Sequence, residues 1–230
     1  MITASAQLTP DVLMRPATPE DATGLARAYR RSRAHLHPWE PDRDDAFFTP
    51  AGQAERLRLH LAEQRAGRMM PWVLVRTTPE TVPGIDTPDE ACAVSGRGTQ
   101  QRRPDSGTAT GPDSAPEAKS APEPHIVGAI TLSDIALGPF RSAGVGYWIA
   151  ADHVGHGLAT AAVNQVCATA DRALGLHRLE AGTLVDNVAS QRVLAKCGFT
   201  PYGTAAHYLH INGAWRDHRL FQKILNDRRP

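Results

Sequence analysis

Four clusters of residues could carry chemistry. The first is Val154-Gly155-His156-Gly157-Leu158-Ala159-Thr160, between an apolar run and a long amphipathic stretch. Glycines at i and i+2 let the backbone pass a ligand without a Cβ clash. The free N–H groups of a helix start, aided by its dipole, then suit a pyrophosphate. The pair could equally serve the turn alone. It is neither Walker A, lacking Gly-Lys-Ser/Thr, nor GxGxxG, because position 160 is Thr. His156 either touches phosphate or is simply solvated. The second cluster, Asp186-Asn187-Val188-Ala189-Ser190, opens another helix, where the Ser190 hydroxyl either donates to a ligand or caps the helix. The third, Pro38-Trp39-Glu40-Pro41, puts a carboxylate on a segment expected to be stiff and extended, since residues before proline favour that conformation. Glu40 there is either a proton acceptor or an anchor for an ammonium or an Arg. The fourth is a hairpin on Asn212-Gly213, the preferred type I′ turn. Counting outward pairs His210 with Trp215 and Tyr208 with Asp217, all on one face. That face either lines a cleft or is a satisfied sheet surface. The histidines show no zinc-ligand spacing, and no metal is expected.

The elements that must hold these residues follow from periodicity. Strands are expected at 12–16, 71–76, 125–132, 143–149 and 177–184, followed by the hairpin. Helices are expected from Thr18 to about Ser32, from about Pro50, and over 188–196. A further helix carries Leu158, Ala162, Val166, Ala170 and Leu174 as one apolar stripe. The order β-α-α-β-β-β-α-β-α-β-β predicts a mixed α/β (α+β) domain with mostly antiparallel pairing. Residues 1–11 are expected as an N-terminal tail and 12–226 as the domain. Residues 77–124 hold eight Pro, five Gly and eleven Ser or Thr, with no aromatic. Such a stretch buries too little to offset about 1–2 kcal/mol of backbone entropy per residue. It is expected as a disordered insertion that expands the hairpin between the 71–76 and 125–132 strands.

Gly155-x-Gly-x-Ala, with Asn187-x-x-Ser190 and Gly198-Phe199 following in order, resembles the GNAT superfamily of acetyl-CoA-dependent N-acetyltransferases. His37-Pro38-Trp39-Glu40-Pro41 and the 208–218 hairpin are similar to the Rim-type enzymes that acetylate ribosomal-protein N-termini, especially the alanine-directed ones. The resemblance covers about 12–76 and 125–226. It implies a central sheet splayed in its middle, with acetyl-CoA in the gap as cosubstrate. It places Ile149, Ala151, Gly155, His156, Gly157, Leu158, Ala159, Thr160, Asn187 and Ser190 at the cofactor, and Trp39, Glu40, His210 and Trp215 at the acceptor. Ser190 and Tyr208 are the candidate acids and Glu40 the candidate base. Val154 departs from the usual Arg or Gln, and Leu194 stands seven residues after Asn187, where many members have a Tyr acid. The base position of a sister Rim enzyme aligns with Leu209 and is vacant here. The acceptor implied is a protein N-terminus, that of a small-subunit ribosomal protein with N-terminal Ala. The alternatives are a small-molecule amine and a non-catalytic binding module on the same fold.

Composition sets the remaining bounds. A formal net charge of +1 argues against a counterion-driven grip on nucleic acid. Of the basic residues, 22 are Arg and 3 are Lys, scattered and read as background. No run of about 20 apolar residues offers a membrane span. Cys92, Cys167 and Cys197 form no disulfide framework. The expectation is a cytoplasmic enzyme, monomeric or homodimeric.

Overall fold

A computed structural model describes residues 5–77 and 124–229. Apart from Thr77 and Pro124, the expected insertion lies outside the described residues. In the described chain, β1 (Ala6–Thr9), β2 (Val12–Pro16), α1 (Ala22–Arg31), α2 (Arg33–Leu36), α3 (Pro50–Arg65) and β3 (Met70–Arg76) come first. They are followed by β4 (His125–Ala136), β5 (Ser142–Ile149), α4 (Leu158–Arg172), β6 (Arg178–Leu184), α5 (Val188–Lys196), β7 (Thr200–Ile211) and β8 (Ala214–Ile224). One eight-stranded sheet runs β1-β2-β3-β4-β5-β6-β8-β7, antiparallel everywhere except between β5 and β6.

The stretch expected as a tail contains a strand. Ala6 and Gln7 pair with Met14 and Leu13, and the Thr9 hydroxyl bonds the Asp11 carboxylate at 2.7 Å to close the turn. Leu8 is the one bulky apolar residue in it, so no apolar alternation announced it.

Each sheet face is covered because side chains alternate along a strand. The α4 stripe expected from the sequence is fully buried at Ala162, Val166 and Ala170, against Val145 and Ile149 of β5 and Leu179 of β6. On the opposite face Leu25 and Tyr29 of α1 and Leu57 of α3 pack on Val73 and Trp148. Asp21 is wholly buried at the entry to α1, where it takes the Thr18 N–H at 2.8 Å and both terminal nitrogens of Arg15.

The pairing that matters most is the shortest. β5 and β6 share only Ser142↔Arg178, Ala143↔Leu179 and Gly144↔Glu180. Beyond Gly144 the strands part, and the sheet is splayed in its middle.

Candidate active site

The splay leaves a slot with two raw strand edges. The Ala150 N–H donates to the Val127 carbonyl at 2.8 Å, toward β4. Backbone direction alternates along an antiparallel strand, so the N–H groups of Tyr147 and Ile149 point away from β4, into the slot. The Ile149 main-chain N–H thus faces the slot. The Ala151 N–H donates to the buried Ser32 hydroxyl at 3.2 Å, which ties the end of β5 to the α1–α2 junction.

The two faces of the slot differ. On the α4–α5 side Tyr147 reaches Ser190, with hydroxyls 2.9 Å apart and the Ser190 carbonyl 3.3 Å from the phenol oxygen. Burial pushes the Tyr147 hydroxyl up to about 12, against a smaller opposing pull from Ser190. Thr183 of β6, two residues on from the core residue Ala181, belongs to that same face. The Thr183 hydroxyl is buried, with no hydrogen-bond partner among the described residues. Gly146 of β5 and Gly182 of β6 belong to the other face, and a Cβ at Gly146 would meet nothing within 4 Å. Tyr208 reaches to 3.7 Å from the Cβ position of Gly182 on that side. Tyr147 and Tyr208 thus lie on opposite faces of the sheet, one on β5 and the other against β6.

At the mouth, Gly155 and Gly157 have φ of +82° and +77°. Added Cβ atoms there would meet nothing, so glycine is required by conformation while the space stays open. Gly157 is the N-cap of α4, and the first helical bond runs from the Ala161 N–H to the Gly157 carbonyl. The amides of Leu158, Ala159 and Thr160 are left at the helix start. The Leu158 side chain itself is buried in the core. His156 lies beside them in a cleft of about 360 Å³ that Arg76 and His153 also line.

Asn187, not Ser190, caps α5: its carboxamide oxygen accepts the Ser190 N–H at 3.0 Å. That bond sets the first turn and leaves the Ser190 hydroxyl free for Tyr147.

The acceptor candidates gather on the Tyr208 face. Residues 37–39 are turned rather than extended: His37 is helical (φ −48°, ψ −41°) although Pro38 follows it. Bonds from the His37 N–H to Arg33 and the Trp39 N–H to Leu36 hold the turn. Trp39 is consequently exposed while Glu40 turns inward, into a pocket with Tyr29, Leu36, Arg43 and Phe48. Burial raises the Glu40 carboxyl above its ordinary range, while Arg43 and Arg56 pull it back. Tyr29 packs on Trp148 of β5, with ring centroids 4.4 Å apart, which links this pocket to the slot face.

The hairpin register holds only near the turn. His210↔Trp215 and Leu209↔Arg216 pair as expected, but Ala205 already faces His218, so three residues oppose Asp217. His207 takes φ +52° there, and its N–H donates to the Asp217 carboxylate at 2.9 Å. The bulge turns Tyr208 away from Asp217 and onto His218, with rings 5.1 Å apart. His210 and Trp215 stay edge to face at 5.8 Å, with Trp215 60% exposed. Asp42, which the sequence did not single out, joins the two acceptor segments by accepting the Gly213 N–H at 3.0 Å. Among the described residues no group of three or more His, Cys, Asp or Glu could hold a metal.

Residues 11–200 match the acetyltransferase (GNAT) domain family. Probable N-acetyltransferase YjcK of Bacillus subtilis is 39% identical over 46% of this chain and 59% of its own length. The crystal structure of ribosomal-protein-S5-alanine acetyltransferase from Vibrio fischeri superposes with a TM-score of 0.75 at 30% identity, covering 99% of this chain and 100% of that one. Mycobacterium smegmatis RimJ, in complex with CoA-disulfide, gives 0.70 at 28% identity over 93% and 81% of the two chains.

Proposed function

The chain belongs to the GNAT acetyltransferases, and we propose that it moves acetyl from acetyl-CoA to the α-amine of a protein N-terminus, that of a small-subunit ribosomal protein beginning with alanine. The observation that carries this is the two-sided slot. Hydroxyls stand on one face and an acidic, aromatic acceptor surface on the other, with free strand amides between them. The donor's chemistry fits these residues. Amide-bearing pantetheine pairs with a strand edge, and the Thr183 hydroxyl, without a partner among the described residues, and the open space at Gly146 leave it polar contact and room. Bound there, acetyl-CoA supplies an activated thioester.

The chain's own groups then divide the work. The Ile149 N–H stands at the splayed edge to bond the carbonyl oxygen as it gains charge, a kind of contact typically worth about 3 kcal/mol. An α-amine has a pKa of about 7.7–8.0 against about 10.4 for Lys, so near neutral pH a useful fraction is uncharged. Glu40, turned inward on the acceptor face, holds the ammonium or takes its proton. The helix-start amides at 158–160 and His156 serve the diphosphate.

N-terminal mass spectrometry of ribosomal proteins from a deletion strain tests the acceptor. Loss of acetyl from one small-subunit protein is expected, and unchanged acetylation throughout would refute it. Kinetics with alanine-starting peptides against a panel of small amines then separates the protein acceptor from a metabolite.

A further inference from the structure

Ser190 came from the sequence; its partner did not. Tyr147 lies on the part of β5 beyond the last β6 pairing, and its phenol oxygen is 2.9 Å from the Ser190 hydroxyl. A phenol has one hydrogen and two partners here, the Ser190 hydroxyl and the Ser190 carbonyl. If it donates to the carbonyl, the Ser190 hydrogen turns back onto the phenol oxygen. If it donates to the Ser190 hydroxyl, the Ser190 hydrogen is free to point into the slot. A developing negative charge in the slot favours the second arrangement, because both dipoles then align toward it. The charge that develops in thioester cleavage is on sulfur.

We propose that Tyr147 is a positioning residue for the leaving group: its hydroxyl orients Ser190, and the two form a relay that stabilises the departing thiolate by hydrogen bonding without ceding a proton. The inference rests on the acetyl-CoA reading above. When the carbon–sulfur bond breaks, its electron pair goes to sulfur, which leaves as thiolate and takes a proton from water on release. The amine proton leaves separately, on the acceptor face. The thiolate of a thiol of ordinary pKa, about 8.5, is a weaker base than a phenolate whose parent is pushed up to about 12. Proton transfer is therefore uphill, and donation without transfer is the stable outcome. The titratable group beside Tyr147 is Cys197, at the end of α5, whose thiol burial also raises. Lys223 sits beyond it, donating to the Cys197 carbonyl at 2.6 Å.

The test is calorimetry of CoA and acetyl-CoA at pH 7 and pH 9.5 with the native chain, Y147F, S190A and the double variant. Acetyl-CoA, which cannot ionise at sulfur, corrects for other titrations. In the native chain CoA should tighten about tenfold relative to acetyl-CoA as the thiol ionises, the effect of one charge-assisted hydrogen bond. That gain should be lost in Y147F and in S190A, and no further in the double variant, because one partner acts through the other. In turnover, Y147F should lower kcat about tenfold and leave the KM for acetyl-CoA within twofold. Y147F keeping the native gain, or effects that multiply, would overturn the relay while leaving the acetyl-CoA reading intact. A native chain that binds neither ligand would overturn both.

Discussion

Removing the Asp42 carboxylate should weaken acceptor binding while sparing the donor. Asp42 stands on the Glu40 segment and accepts the Gly213 N–H at 3.0 Å, and the His210 ring is 3.9 Å from the same oxygen. This bond ties the loop after α2 to the tip of the β7–β8 hairpin, and on the proposed function it would set the width of the acceptor cleft. Asp42 is 48% exposed at the side chain, so solvent screens the bond. An ordinary net value of about 1 kcal/mol is the right scale. At about 1.4 kcal/mol per decade this corresponds to roughly fivefold. Asp42→Ala should therefore raise the acceptor KM about fivefold, with the acetyl-CoA KM unchanged, because the slot and the helix start lie on other elements. Asp42→Asn keeps an acceptor oxygen and should recover most of the loss. The assay is steady-state CoA release with each substrate varied in turn against saturating partner. An unchanged acceptor KM, or equal changes for both substrates, would refute the argument that this bond sets the cleft.

Other outcomes follow from single contacts. Gly157→Ala forces a Cβ onto a residue at φ +77°, a strain of about 1–2 kcal/mol. Calorimetry should show acetyl-CoA affinity falling about tenfold. Asn187→Ala removes the cap that holds Ser190. It should lower stability by about 1 kcal/mol in urea titration and reduce kcat, with little change in acceptor KM. For Glu40, burial raises the folded-state pKa, so the native state keeps a proton where the unfolded chain has lost it. Stability should fall as pH rises between the ordinary Glu value and the raised one. Glu40→Gln should flatten that part of the urea-midpoint profile and lower kcat/KM near neutral pH. A profile as steep as the native one would show that Glu40 is not the group responsible.

What could be read from the sequence was local. Gly155 and Gly157 announced a turn or a close ligand approach before a helix, and the four-residue spacing of Ala162, Val166 and Ala170 announced the buried stripe. Asn212-Gly213 fixed the hairpin and its first pairs. The bulge at His207 escaped because a register shift depends on Asp217 capturing a backbone N–H across the ladder. The turned conformation at 37–39 escaped because bonds back to Arg33 and Leu36 overrode the pre-proline preference of His37. Tyr147 was hidden for a different reason. In the sequence it is an ordinary aromatic in a strand, and it acquires a partner only where β5 and β6 part. Asp42 likewise gains meaning only through Gly213, which is remote in sequence.

The three-pair seam between β5 and β6 also bears on assembly hazards. Exposed strand edges invite other chains to add on. Here two such edges lie in the interior of the sheet, flanked by five strands on one side and three on the other. A neighbouring polypeptide has no flat approach to them, whereas a thin, flexible, amide-bearing molecule does. On the proposed function the cosubstrate would act as a missing rung, so the ligand-free chain would be the looser form. Backbone amides of Tyr147 and Ile149 would then exchange with solvent readily until that rung is in place.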